Sequence, residues 1–170
     1  MTFSDQKKPI LFYAEVISTE DPRKLGRVQV KLNSLDKAVE MPWIRVLQSQ
    51  ASKKEAGTVI LPEEGDVVAI LRGAGDHIGS MLLIGGVYDN KNKPAFAKNL
   101  DKNDYKYIQT REKNLILISD EKDKTKIEVK TAKEIHLLMD DKAMALDIKV
   151  DEVTLTMDGK GKEFKVVSPD

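Results

Sequence analysis

The sequence predicts an all-β protein made of a small barrel followed by a strand-rich tail. Short apolar runs bounded by Gly, Pro and Asp recur through residues 10–94. After Tyr105, apolar residues recur as apolar–x–apolar pairs, with no sustained 3.6-residue periodicity. A period of two places both members of a pair on one face of a strand. We therefore expect strands in both parts and little helix.

Composition narrows the possible functions. The 170 residues carry 28 basic and 28 acidic side chains, so no net field attracts nucleic acid or an anionic membrane. The absence of cysteine excludes disulfides and thiolate metal sites. No run approaches the length of a transmembrane helix, and the apolar run Ile10–Ala14 is too short for a signal peptide. We expect a soluble protein without a cleaved leader.

The N-terminal part is predicted to begin with a loose arm, residues 1–9, followed by a barrel over residues 10–94. Strands are expected at residues 11–18, 26–32, 43–47, 67–71 and 81–88. Residues 33–40 are expected to be a polar connection that could hold a helical turn, and residues 48–56 a polar loop. The predicted core residues share an inward position on these strands: Val28, Val30, Trp43, Val46, Val67 and Leu83.

Turn chemistry gives the barrel its predicted type. Pro22 presets φ in the first turn, and Gly85-Gly86 suits a corner where a strand must bend. About five short strands with glycine-rich corners, in roughly 90 residues, fit a small closed antiparallel barrel of the OB type.

The tail, residues 105–170, follows a polar linker predicted at residues 95–104. Its apolar pairs form a one-sided ribbon: Ile116, Ile118, Ile127, Val129, Ile135, Leu137, Leu146, Ile148, Val153, Leu155, Phe164 and Val166. Such a face must be buried against something, and a lone ribbon exposes long edges. Periodicity leaves two arrangements open. Three copies could turn this face to a common axis, or the ribbon could pack as a meander on the barrel of its own chain.

Four motifs in order resemble one family. EDPRKLGRVQV (20–30), PWIRV (42–46), LPEEGDVV (61–68) and LIGGVYDN (83–90), the last followed by NKP (92–94), are similar to the OB domain of baseplate assembly protein V and VgrG-type spikes. These are the central spikes of contractile phage tails, type VI secretion systems and related particles. In the tail, NLILISD (114–120) and KIEV (126–129) resemble the neck where such spikes pass into a β-helix.

The resemblance implies a homotrimer with an intertwined β-helical needle. The implied function is structural: the spike joins a hub or baseplate protein to a tip and pierces the target membrane during injection. By the same analogy, the distal end docks a PAAR-type tip protein, with these residues: Lys162, Glu163, Phe164, Lys165, Val166, Val167 and Ser168. The implied location is the bacterial cytoplasm during assembly, and then a phage tail, secretion apparatus or released particle.

The sequence departs from the family pattern in several places. No large hub domain precedes the barrel, no lysozyme-like insertion is present, and no effector domain follows the tail. The stretch His77–Ser80 replaces an Asp/Pro-rich turn, and the tail lacks a strict octad repeat with glycine. We therefore expect the hub to be a separate protein.

Catalytic and metal chemistry find little support. Alternation turns His136 away from the apolar face, and the tail has no His-x-His pair; His77 is expected in an exposed loop. The adjacent carboxylates Glu63/Glu64 and Asp140/Asp141 should point apart, whereas glycosidases need two that face each other. No nucleophile-elbow motif is present, and Gly73-Ala74-Gly75 lacks the context of a phosphate loop. We expect neither an enzyme nor a cofactor.

The alternative function is an OB-fold nucleic-acid-binding protein. Such sites need stacking aromatics and a basic groove. Aromatic residues are 5% of this chain, and its basic and acidic residues interleave rather than cluster. The obvious barrel aromatics, Trp43 and Tyr88, suit a core or a corner. We therefore favour the spike and expect no nucleic-acid partner.

Overall fold

The computed structural model describes residues 9–34, 37–73, 78–133 and 135–168. The predicted arm lies outside these residues except for Pro9, and so do His77 and Ala74-Gly75 of the glycine-rich turn. The chain divides into two compact units, Met1–Lys93 and Pro94–Asp170. Each unit has its own sheet.

The first unit is a closed barrel. Its strands are β1 (Ile10–Ser18), β2 (Arg27–Ser34), β3 (Lys37–Glu40), β4 (Ile44–Val46), β5 (Val67–Arg72) and β6 (Met81–Gly86), with a 3-10 helix at Ile78–Ser80. The sheet order is β1-β5-β6-β4-β2-β3, and pairing of β1 with β2 closes a ring of five strands. β4 and β6 run parallel and the other neighbours antiparallel. This order confirms the predicted all-β, OB-like barrel.

Alternation within the strands fills the barrel with aliphatic side chains. The buried cluster consists of Ala14, Val16, Val28, Val30, Ile44, Val68, Ile70, Met81 and Leu83. Val28, Val30 and Leu83 were predicted for the core, and Val46 packs at its margin. Val67 instead alternates to the outside, because its neighbours Val68 and Ile70 take the inward positions. Trp43 is half-buried, with the guanidinium of Arg27 at 6.0 Å from its ring centroid.

The turn between β1 and β2 is organised by Asp21. Its carboxylate accepts hydrogen bonds from the backbone N–H groups of Arg23 and Leu25, both at 2.9 Å. It also accepts two from the guanidinium of Arg27, at 2.6 and 3.0 Å. These donors, led by Arg27, hold the pKa of Asp21 well below its ordinary value although desolvation opposes them. Gly26 completes the turn with a φ of +66°.

β3, Lys37–Glu40, lies within the segment 33–40, for which we expected a polar connection that could hold a helical turn. β3 pairs with the end of β2, from Lys31 opposite Glu40 to Ser34 opposite Lys37. Val39 faces Leu32 across this pair. Cross-strand pairing with β2 thus overrides the weak local preference of residues 37–40.

The second unit is a seven-stranded antiparallel meander. Its strands are β7 (Tyr105–Gln109), β8 (Leu115–Ser119), β9 (Lys126–Lys130), β10 (His136–Asp140), β11 (Ala145–Val150), β12 (Val153–Asp158) and β13 (Glu163–Val167). They are ordered in space as in sequence. Residues 95–104, for which we expected a linker, belong to this unit and include a 3-10 helix at Ala97–Lys102.

Each internal strand of the meander is paired on both edges by strands of the same chain. The backbone ladders of β8 to β12 are therefore made within one chain. The backbone groups of these internal strands therefore need no second chain as a hydrogen-bond partner. A second or third copy would serve only to cover the face of the sheet.

Candidate functional site

One face of the C-terminal sheet carries two continuous apolar rows that run across all seven strands. Register places the first row in the order Ile108, Ile116, Val129, Leu137, Ile148, Leu155, Val166. It places the second in the order Lys106, Ile118, Ile127, Met139, Leu146, Met157, Phe164. We call this surface the apolar face. At a strand spacing of about 4.8 Å, each row is about 30 Å long.

Charge is nearly absent from these rows. Lys106, at the β7 end, is the one charged member, and its ammonium pairs with Asp120 and donates to the carbonyl of Asn103 at 2.8 Å. A short third row lies beside the first, formed by Ile135, Val150 and Val153, since Val150 is opposite Val153. The two rows of the apolar face therefore carry a charge only at one margin.

Much of the apolar face is solvent-exposed in the single chain. Among its exposed members, the exposed fractions run from 38% for Val129 and Ile148 to 62% for Phe164, whereas Leu137, Leu146 and Leu155 are half-buried. The second row borders an open groove of about 700 Å³, lined by Ile118, Ile127 and Met157 among others. Contiguous exposed apolar surface of this extent marks an interaction site rather than a surface that stays in contact with water.

The opposite face of the sheet is polar and internally paired. Glu128 accepts from Lys126 at 2.8 Å, and its other oxygen lies 3.1 Å from His136 Nε2. Thr156 donates to Asp147 at 2.6 Å. Desolvation alone would raise the pKa of Glu128, but the bond from Lys126 and the nearby positive charges outweigh it and lower that pKa. Such pairs suit a face that stays in contact with water.

An aromatic cluster covers the polar face at its first strands. Phe96 stacks on Tyr105 with centroids 5.6 Å apart and meets Tyr107 edge-on at 4.8 Å. Across the strand pair, Leu117 and Ser119 lie opposite Tyr107 and Tyr105, and both are buried. Sequence reasoning missed this small core. The signal was available, because three of the eight Phe and Tyr residues fall within residues 96–107.

The twelve residues predicted for the tail core lie on this one face by register and alternation. Sequence reasoning passed over Ile108, Met139, Val150 and Met157, which extend the same rows. Met139 follows Leu137, and Met157 follows Leu155, at the same period of two. The pattern was therefore present there too, with methionine in place of a branched residue.

The proposed tip-docking residues form the last strand and its flanks. All of residues 162–168 are exposed, and β13 leaves its outer edge unpaired within the sheet. Phe164 and Val166 lie on the apolar face, whereas Lys165 pairs with Glu163 at 2.7 Å on the other face. This edge is open to an added strand or a capping protein.

The remaining candidates from the sequence do not converge into a catalytic site. Glu63 and Glu64 are exposed in a turn, where the carboxylate of Asp66 accepts from the Glu63 N–H. Asp140 accepts from the N–H of Ala143 at 2.7 Å, and Asp141 is exposed in the same turn. Within the described residues, no cluster of three or more His, Asp or Glu side chains could hold a metal ion.

Comparison with known proteins identifies the barrel. Residues 12–88 match the family model of the type VI secretion system/phage-baseplate injector OB domain. The resemblance found in the sequence is therefore confirmed for this domain. No curated protein matches the chain at a significant level. Among the described residues, no helix is long and apolar enough to cross a membrane.

Proposed function

We propose that this chain is the central spike protein of a contractile injection machine and works as a homotrimer. The premise is its injector OB domain, which gives it a structural role in a baseplate. The single observation that supports the finer proposal is the apolar face of the C-terminal sheet. This face is apolar over about 30 Å, whereas the opposite face of the same sheet is mostly polar.

A trimer of this sheet would bury the apolar face and leave the opposite, polar face in water. With the apolar faces turned to a common axis, the rows from Ile108 to Val166 and from Ile118 to Phe164 would enclose a dry centre. The paired groups around Glu128 and Asp147 would stay outside. Apolar area removed from water contributes about 25 cal/mol per Å². Because the strands β8 to β12 are paired on both edges within each chain, this prism needs no intertwining of internal strands.

The proposed mechanism is mechanical. The contracting sheath drives the tube forward, and the spike transmits the force to the target membrane. A prism of this kind resists deformation because each meander is hydrogen-bonded along its full length and close-packed side chains fill the axis. The partners are a separate hub or baseplate protein that adapts the spike to the tube and a PAAR-type tip protein that binds residues 162–168.

The first test is the mass of the purified full-length chain in solution, measured by light scattering. We expect three times the chain mass of 19.1 kDa, with amide protons throughout β8 to β12 protected from exchange. A stable, monodisperse monomer whose tail amides are equally protected would overturn the trimer. Association with nucleic acid that rises steeply at low salt would instead support the alternative function.

A further inference from the structure

The outer surface of the barrel is divided into two walls of different chemistry. Along β2 and β4, the outward positions are Arg27, Gln29, Lys31 and Arg45, which alternate with the buried Val28, Val30 and Ile44. An exterior of this kind is what a solvated barrel requires. The outward positions of the strands β1, β5 and β6 are less polar.

On those three strands the outward positions are mostly apolar, and Glu15 of β1, opposite Val67, is the charged exception. Register aligns Leu11, Leu71 and Leu82 in one row and Tyr13, Ala69 and Gly85 in the next. Ile84 lies beside them at the bulge of β6. We call Leu11, Tyr13, Ala69, Leu71, Leu82 and Ile84 the apolar wall.

Four of the six residues of the apolar wall are open to solvent in the single chain, whereas Ala69 is buried and Leu82 half-buried. Tyr13 is 59% exposed, Leu11 51%, Ile84 41% and Leu71 37%. Neither of its two rows contains a charged side chain. A contiguous patch of exposed aliphatic and aromatic groups on three adjacent strands marks an interface.

We propose that the apolar wall is covered by the barrels of neighbouring copies of this chain. This inference rests on the proposed trimer. The two uncharged rows of the apolar wall can meet their copies without like-charge repulsion. Three copies of the β2–β4 wall would instead bring Lys31 and Arg45 together, while Arg27 is paired with Asp21. Interfaces between permanently associated copies are also more apolar than interfaces that form and dissociate.

The covalent link to the tail makes a modest patch sufficient. Once the tails associate, the three barrels are held at a high effective concentration by the peptide that joins the units. The apolar walls could then bury one another even if isolated barrels did not associate in free solution. It would also remove the wall from solvent before any hub protein is present, whereas a hub-docking surface would stay exposed until assembly.

The absence of cysteine from the chain allows a clean distance measurement. Single cysteines are introduced in the full-length protein as Leu71→Cys on the apolar wall and Gln29→Cys on the opposite wall as the matched control. Each is spin-labelled, and distances between copies are measured by pulsed dipolar EPR. Both positions face outward on a strand, so the substitutions disturb the core little.

The wall labels are expected to lie closer together than the control labels. Opposite walls of a small barrel are about 10 Å apart, and separations around a threefold axis grow with the radius. The difference should be on the order of 15 Å on this spacing. Equal distances at the two positions, or shorter ones at Gln29→Cys, in a protein that still has the trimer mass, would overturn the wall proposal.

A second variant separates this proposal from hub binding. Leu71→Lys should leave the tail trimer intact by mass but lengthen the distances read from Ile84→Cys in the same chain. Unchanged distances together with lost capture by the hub protein would assign the wall to the hub and overturn our proposal. Failure of the trimer itself would appear earlier and separately, as a monomeric mass of the unsubstituted chain.

Discussion

The substitution Ile127→Asp is the sharpest perturbation of the proposed trimer axis. Ile127 lies in the middle of the second row, opposite Ile118 on β8 and Met139 on β10. It is 40% exposed in the single chain, so an aspartate there remains in contact with water and the sheet can still form. In a trimer, three carboxylates would meet on a dry axis.

The magnitude follows from burial. Full burial of an aliphatic side chain contributes about 1.5–3 kcal/mol, and the 40% of Ile127 that is exposed in the single chain accounts for about 0.6–1.2 kcal/mol of it per copy, hence about 2–4 kcal/mol per trimer. At 1.36 kcal/mol per factor of ten, this loss alone lowers the association constant by about one to three orders of magnitude. Uncompensated burial of the carboxylates adds to this cost.

The assay is light scattering over a dilution series, combined with circular dichroism to confirm that strands remain. Thr154→Asp is the matched control. It also introduces an aspartate into a strand, but Thr154 lies on the polar face, opposite Lys149. We expect Ile127→Asp to be monomeric and Thr154→Asp to remain trimeric. An Ile127→Asp protein that stays a trimer at micromolar concentration would refute the placement of this face on the axis.

Three further predictions concern the two units separately. The depressed pKa of Asp21 stabilises the barrel above its unfolded pKa, and this contribution is lost as the pH falls below about 4. Asp21→Asn should therefore lower the barrel's Tm at pH 7 and flatten its acid dependence; an unchanged Tm would show that the pair with Arg27 is inert. Phe96→Ala should destabilise the tail by about 0.5–1.5 kcal/mol for each aromatic pair lost, seen as earlier urea unfolding, and no change in midpoint would contradict the contacts. Phe164→Ser should abolish capture of the PAAR-type tip protein in a pull-down while Lys165→Ser retains it; equal capture by both would remove Phe164 from the docking surface.

Local sequence determined the strands and the side on which most apolar residues lie. An apolar–x–apolar pair such as Ile127 and Val129 commits both side chains to one face wherever the strand is placed, because alternation is a property of the backbone. The family motifs around Glu20–Val30 and Leu83–Asn90 determined the barrel type, because they contain the sequences of its turns and corners. These features depend on residues close in the chain.

Only tertiary structure decided which strands become neighbours and what covers each face. The parallel pairing of β4 with β6 is one link of the barrel, and no local pattern predicts it, since it joins residues distant in sequence. The pairing of β3 with β2 and the packing of Phe96 on Tyr105 join residues closer in the chain, but the local propensities of these segments are weak and did not predict them. The sequence by itself therefore predicted a one-sided apolar face that must be covered, whereas the tertiary structure decided that the strands β8 to β12 are paired on both edges within one chain.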